Sequence, residues 1–187
     1  LEAAEKCSED AGTGGCAFPI ASYDLPALVT VVFLLHYLFF DVLGVGPLRA
    51  KYGVLYPKTT GPEPFERALR TQQNQIEQMT PFVSLLWISS FFFDPTFAGI
   101  VGAVWVCCRI CYSFLYRLGT ASRSTLMKTT IPSYLCLTVL GFSSVFGILS
   151  RRLNKAYAGL IVAILVPICF LAVRYHRQFL SRPDKSS

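Results

Sequence analysis

Charged residues are scarce in this chain: 15% of its 187 residues are Asp, Glu, Lys or Arg, whereas 53% are hydrophobic. Soluble domains usually carry about 25% charged residues. The composition therefore excludes an ordinary soluble domain and predicts an integral membrane protein. The sequence also lacks an internal repeat and a low-complexity segment, so its length indicates one domain.

Ligands for a metal ion are scarce as well. The motif CCRIC at residues 107–111 offers thiols, but the His or carboxylate side chains that would complete a zinc site are missing nearby. We therefore expect no metal site, and we expect the cysteines of the apolar stretches to pack as small hydrophobic residues. These are Cys107, Cys108, Cys111, Cys136 and Cys169.

Residues 1–24 form a polar segment that contains Cys7 and Cys16. A disulfide between these two cysteines is chemically allowed on the lumenal side of a membrane, but the sequence does not identify the compartment, so the pairing stays open. Because the chain begins at Leu1 rather than at methionine, we expect that a preceding segment was processed or is not part of the printed sequence.

Several apolar stretches approach the roughly 20 residues that a helix needs to cross a hydrocarbon core of about 30 Å. The sequence predicts an all-α integral membrane protein, a bundle of four transmembrane helices with a candidate fifth helix near the C-terminus. The predicted helices occupy residues 25–46, 79–93, 96–119, 129–149 and 156–175. The second helix extends backwards to residue 63, and Asp94-Pro95 ends it. Residues 25–150 thus form the membrane domain, and residues 151–187 hold a basic loop, the fifth helix and a polar tail.

The basic residues behind the net charge of +6 are distributed unevenly between the two sides of the predicted bundle. Basic residues flank the first and third connections, which lie on one side of the predicted bundle, so the positive-inside rule places both connections in the cytosol or its organellar equivalent. We therefore expect no nucleic-acid partner. The residues are Arg49, Lys51, Lys58, Arg67 and Arg70 around the first connection, and Arg117, Arg123 and Lys128 around the third.

Polar side chains form a stripe along the second predicted helix. At 100° per residue, Arg67, Arg70, Asn74 and Glu77 fall within about 80° of arc, and we call these four residues the polar stripe. Ionisable groups in membrane helices face protein or water and often mark functional sites. The alternative, strongest for Arg67, is that the side chain only reaches the membrane interface.

A second set of polar side chains lies on the third predicted helix. Tyr112 and Tyr116 are four residues apart, and Arg123 would lie about 20° from Tyr112 if the helix continued through Gly119. Guanidinium groups bind carboxylates bidentately and a glutamate pairs with ammonium. Together the two sets suit a small ligand that carries carboxylates, an ammonium and amides.

Two segments resemble the MAPEG family, membrane-associated proteins in eicosanoid and glutathione metabolism. One is YPKTTGPEPFERALRTQQNQIEQMTPFVSLLWIS, and the other, RICYSFLYRLGTASR, matches mainly in spacing. The resemblance is strongest toward the leukotriene C4 synthase and microsomal glutathione transferase 2 branch, and it covers residues 25 to about 150. It implies a homotrimer with glutathione as co-substrate between subunits, and a lipophilic second substrate that arrives from the bilayer.

The resemblance also implies roles for individual residues. Arg123 matches the arginine that stabilises the glutathione thiolate, and is the predicted catalytic residue. The predicted glutathione-binding residues are Arg49, Arg70, Gln72, Asn74, Glu77, Tyr112 and Tyr116. The chain departs from the leukotriene branch at Ala50, where relatives carry a second arginine, and at Gln78, where they often carry tyrosine. The change at Ala50 favours a general glutathione transferase or peroxidase over leukotriene synthesis.

Two other function classes stay open on the sequence. One is a non-catalytic, lipid-binding protein or an accessory subunit of a larger organellar membrane complex, since fold does not fix function. The other is a transporter with His36 and Asp41 as a proton path, although an inverted repeat and a broken helix pair are both missing from the sequence. The expected location is the endoplasmic reticulum or an organellar membrane, mitochondrial or chloroplast.

Overall fold

The computed structural model describes residues 20–119 and 121–180, and all the regular secondary structure of these residues is helical, with loops between the helices. Cys7 and Cys16, with the disulfide predicted as an option between them, lie outside the described residues. The helices are α1 (Asp24–His36), α2 (Val45–Tyr52), α3 (Glu63–Phe92), α4 (Pro95–Leu118), α5 (Arg123–Ser150) and α6 (Lys155–Leu180). A 3₁₀ turn, Ile20–Tyr23, precedes α1, and a π-helical segment, Tyr37–Val42, follows it.

The first helical region of the structure is longer and less regular than the single helix predicted for residues 25–46. It runs as α1, the π-helical segment and, after a break at residues 43–44, α2. Pro47 lacks the N–H that would bond to the carbonyl of Leu43, so the α-helical ladder is interrupted there. Gly44 fits the break because a Cβ at this position would overlap the Phe40 carbonyl oxygen and lie 2.6 Å from the Arg117 guanidinium.

The second helix agrees with the prediction. Residues 63–92 form the single helix α3, which starts directly after Pro62. The predicted stop is also correct, because the carboxylate of Asp94 accepts a hydrogen bond from the Phe97 backbone N–H at 2.6 Å and caps α4.

The predicted start of the fourth helix at residue 129 was too late, and the third helix does not continue toward Arg123. Gly119 ends α4 in the left-handed conformation, with φ of 68°. Ser122 then caps α5, since its Oγ accepts a hydrogen bond from the Thr125 backbone N–H at 3.2 Å. Arg123 is therefore the first residue of α5 rather than an extension of the tyrosine face of α4.

An aromatic cluster holds the centre of the bundle together. The Phe82 and Trp105 rings stack with 3.7 Å between centroids, and Phe33 meets both rings edge-on, so α1, α3 and α4 share one core. A smaller apolar cluster fixes α2 and the following loop against the start of α3, through Val45, Val54, Phe65 and Ala68.

The chain is an integral, multi-pass membrane protein. Among the residues that the structure describes, four helical segments are long and apolar enough to cross a membrane: Asp24–Tyr52, Pro95–Leu118, Arg123–Ser150 and Lys155–Ala172. The predicted fifth helix is thus confirmed as α6. By contrast, α3 is more polar than these segments, because it carries the polar stripe, and it packs against α4 and α5.

Candidate functional site

The structure brings part of the predicted ligand set together on the facing sides of α3 and α4. Asn74 Nδ2 donates a hydrogen bond to Tyr112 Oη at 3.0 Å, and the Tyr112 and Tyr116 rings stack with centroids 5.5 Å apart. One helical turn to either side of Asn74, the side chains of Arg70 and Glu77 approach to 3.8 Å. Both of these side chains are about half exposed, 53% and 56%, so their charges remain accessible to a ligand.

A cavity of about 660 Å³ opens beside these residues. Its walls come from the loop before α3, the first turns of α3, the end of α4 and the start of α5, and they include Arg67, Arg70, Gln73 and Tyr116. A volume of this size lies within the usual range for small-molecule sites, about 300–1,000 Å³. The cavity is therefore large enough for a tripeptide.

Arg67 has a different environment from the other members of the polar stripe. Its guanidinium forms an ion pair with Glu63 one turn earlier and packs against Gly119 at the end of α4. A Cβ at Gly119 would overlap this guanidinium, and the positive φ there is unfavourable for other residues. Arg67 thus ties α3 to the end of α4 while it lines the cavity.

Within residues 20–119 and 121–180, Arg49, Gln72 and Arg123 share no hydrogen bond, ion pair or ring contact with this group. Arg49 Nη1 donates to the Lys58 carbonyl at 2.8 Å, and its guanidinium lies over the rings of Tyr56 and Phe65. Gln72 is two residues from Arg70, so it points about 200° away around α3. Arg123 is exposed at the first position of α5. Within the described part of a single chain, the predicted ligand residues therefore form two groups. In one group Arg70 pairs with Glu77 and Asn74 pairs with Tyr112, which stacks on Tyr116, whereas Arg49, Gln72 and Arg123 take no part in these contacts.

A buried polar network lies beneath these residues of α3 and α4, and the sequence did not predict it. Arg109 Nε donates to Gln75 Oε1 at 2.7 Å, and Gln75 Nε2 donates to Ser113 Oγ at 2.6 Å. The Ser113 hydroxyl in turn donates to Asp41 Oδ2 at 3.4 Å. All of these side chains are buried, with Arg109 only 3% exposed. Arg109, a charged residue within the apolar run around CCRIC, is the sequence signal that could have indicated the network.

This network supports the two residues that pair across α3 and α4. Arg109 Nη2 donates to the backbone carbonyl of Asn74 at 3.1 Å, and the guanidinium lies over the Tyr112 ring, 4.7 Å from its centroid. Burying a guanidinium is unfavourable unless hydrogen bonds satisfy it, and here they fix the positions of Asn74 and Tyr112. Arg109 therefore holds Asn74 and Tyr112 in place from the buried side.

His36 and Asp41, considered above as a proton path, lie at the far end of this network. Their side chains are 3.6 Å apart, and the Arg117 guanidinium donates to the Asp41 carbonyl at 3.2 Å. Asp41 also accepts from Ser113, and the His36 ring lies 6.0 Å from the Phe114 ring between centroids, so both residues have a role in packing against α4. Within residues 20–119 and 121–180, no three His, Cys, Asp or Glu side chains are grouped to hold a metal ion.

Comparison with known proteins gives one family match and three similar relatives. The model of the MAPEG family matches residues 27–145. The uncharacterized protein sll1147 of Synechocystis sp. is 50% identical over 98 residues, which cover 52% of this chain and 71% of the relative. Microsomal glutathione S-transferase 2 of Mus musculus is 33% identical over 111 residues, or 59% and 74% of the two chains. Leukotriene C4 synthase of Cavia porcellus is 28% identical over 141 residues, or 75% and 91%.

Proposed function

We propose a glutathione-dependent function for this chain, which belongs to the MAPEG family. The protein acts as a membrane-bound glutathione transferase or peroxidase, which activates the glutathione thiol against lipophilic electrophiles or lipid hydroperoxides. Relatives named microsomal glutathione S-transferase 2 and leukotriene C4 synthase support this reaction type. The observation that carries the proposal is the ligand face of Arg70, Asn74 and Glu77 opposite Tyr112 and Tyr116.

The ligand face matches the functional groups of glutathione. Arg70 binds a carboxylate, Glu77 binds the ammonium, and Asn74 with the tyrosines serves the peptide amides. In the structure Arg70 and Glu77 are loosely paired with each other, at 3.8 Å and half exposed. A surface ion pair of this kind contributes little stability, so exchanging it for contacts to a zwitterionic ligand is favourable.

The division of the predicted residues into two groups supports a site shared between subunits. We propose that one subunit supplies Arg70, Asn74, Glu77, Tyr112 and Tyr116, and that its neighbour in a homotrimer supplies Arg49, Gln72 and Arg123. Such an assembly also covers the charged side chains of α3, which are unfavourable against lipid.

The proposed chemistry starts from the thiolate. A thiol with a pKa near 8.5 is only a few per cent ionised at neutral pH, and a guanidinium beside the sulfur lowers that pKa. In conjugation the thiolate sulfur bonds to an electrophilic carbon, and a leaving group or epoxide oxygen takes the electron pair. In peroxide reduction the sulfur takes the distal oxygen, and the alkoxide is protonated to an alcohol. A second glutathione then converts the sulfenic acid to a disulfide and water.

Replacing Arg70 with Ala should weaken glutathione binding by roughly thirtyfold, about 2 kcal/mol, because a carboxylate loses its charged partner. Isothermal titration of the purified protein with glutathione measures the change. Arg151→Ala serves as the matched control, since Arg151 lies at the opposite end of the bundle and donates to the Phe91 carbonyl. Equal affinities for wild type and Arg70→Ala would refute the assignment of Arg70.

A shared site also predicts complementation between inactive subunits. Arg70→Ala and Arg123→Ala should each have low activity as homo-oligomers, whereas a mixture assembled from both should regain part of the wild-type activity, because some interfaces then combine two intact halves. Differently tagged subunits, co-expressed and purified through both tags, are assayed for conjugation. Native mass spectrometry counts the subunits. Activity no higher than that of the separate variants, in verified hetero-oligomers, would place the whole site within one chain.

A further inference from the structure

Two amide–phenol pairs lie one above the other along α3. Asn74 pairs with Tyr112 of α4, and Gln78, four residues later, donates from Nε2 to Tyr134 Oη of α5 at 2.9 Å. Four residues correspond to about 6 Å along a helix, so the second pair lies one turn farther from the start of α3. The first pair belongs to the ligand face proposed above for glutathione, whereas the second pair is not part of that face.

The Gln78–Tyr134 pair has hydrogen-bonding capacity that the protein leaves unused. The phenol oxygen accepts from the amide, so the phenol proton stays available to another acceptor. Gln78 Oε1 is buried and has no partner within the described part of the chain. If the amide were turned around, the phenol would donate to Oε1 and the amide NH₂ would be the free donor. Each arrangement leaves one donor without an acceptor, and the phenol proton of the first arrangement lies on an exposed side chain.

The position of the pair indicates what could satisfy it. Tyr134 lies eleven residues into α5, about 16 Å along the helix from Arg123, and within a segment apolar enough to span the membrane. Water is scarce at that depth, and unsatisfied polar groups are costly there. Tyr134 is nevertheless 51% exposed, so a molecule dissolved in the bilayer can reach its hydroxyl.

The Gln78–Tyr134 pair is also adjacent to the ligand face. Asn74 and Gln78 are neighbours on one side of α3, four residues apart, so the two phenols that they hold, Tyr112 and Tyr134, lie beside each other. An oxygen atom bound at Tyr134 would therefore be held beside the proposed thiol site, on its membrane side. Thiolate chemistry requires the reacting group of a lipid to be held in this neighbourhood.

We propose that Gln78 and Tyr134 form a hydrogen-bonding site for an oxygen acceptor in the chain of the second substrate, a hydroperoxide or conjugated carbonyl at mid-chain depth. The inference rests on the proposed glutathione-dependent function. The pair selects oxygenated lipids over unsubstituted hydrocarbon chains, because only an oxygen acceptor pairs with the free donor. It is thus a specificity determinant that is separate from the residues that bind glutathione.

The first test measures binding rather than turnover. The full chain, in nanodiscs without glutathione, is titrated with a fatty acid that carries a mid-chain ketone and with the unsubstituted fatty acid of equal length. Wild type should prefer the ketone by about five- to tenfold, the effect of one neutral hydrogen bond, and Tyr134→Phe should lose this preference. The matched control is Tyr157→Phe, which removes another exposed phenol from α6.

The second test separates this inference from the function on which it rests. With a mid-chain lipid hydroperoxide, Tyr134→Phe and Gln78→Met should raise KM about five- to tenfold, while the glutathione Kd stays unchanged. A wild type that neither binds nor uses glutathione refutes the proposed function, and the ketone titration still decides the inference. An unchanged ketone preference in Tyr134→Phe, with the subunit count of wild type, would overturn the inference.

Discussion

Arg123→Ala should lower turnover by roughly 10²- to 10³-fold, the magnitude seen when a group that stabilises a developing or reactive anion is removed. Arg123 is exposed at the start of α5, so the substitution leaves the packed core untouched. The affinity for glutathione should change little, since the carboxylate and ammonium contacts belong to other residues. The ultraviolet absorbance of the bound thiolate should fall in parallel with the activity.

The pH dependence gives this prediction a definite sign. A cation beside the sulfur favours the thiolate, so the wild-type rate should reach its plateau at lower pH than the rate of Arg123→Ala, whose thiol must be ionised by raising the pH. Arg123→Lys keeps the charge and should restore part of the thiolate band. Full activity of Arg123→Ala at neutral pH would assign thiolate formation to another group.

Helix boundaries could be predicted from the sequence where neighbouring residues, such as a proline or a capping carboxylate, determine them. α3 follows from an unbroken polar and apolar periodicity after Pro62, and its end follows from Asp94-Pro95. The break in the first helix and the early start of α5 depend on the backbone state of individual residues. Gly119 and Ser122 determine that start through a left-handed turn and a side-chain cap, and an apolar stretch locates neither.

The common placement of Arg70, Asn74 and Glu77 could be predicted, because residues three and four apart share one side of a helix. The buried network could not be predicted in this way. Its hydrogen bonds join residues 34 apart, Gln75 to Arg109, and 72 apart, Ser113 to Asp41, so they depend on how the π-helical segment, α3 and α4 pack. The same limitation applies to the pairing of Gln78 with Tyr134, 56 residues later.

The buried network should also dominate the stability of the bundle. In Gln75→Leu, Arg109 Nε loses its acceptor at 2.7 Å while the guanidinium stays buried. Removing one partner of a buried charged group is expected to cost about 3–5 kcal/mol. Denaturant titration in mild micelles, followed by helical circular dichroism, measures the loss. Ser89→Ala, which removes the Ser89–Ser143 hydrogen bond elsewhere between α3 and α5, should cost only about 1 kcal/mol.

The double variant Gln75→Leu/Arg109→Leu shows whether this loss of stability comes from an uncompensated buried charge or from packing around Gln75. If the loss arises from an uncompensated buried charge, removing the guanidinium as well should recover much of the stability, because apolar side chains in place of a buried polar pair are often neutral or stabilising. Glutathione affinity should not recover, since Asn74 and Tyr112 would still lack the contacts that Arg109 makes to the Asn74 carbonyl and the Tyr112 ring. If stability and glutathione affinity both recover in the double variant, Arg109 has no positioning role. If neither recovers, packing around Gln75, rather than the buried charge, determines the stability.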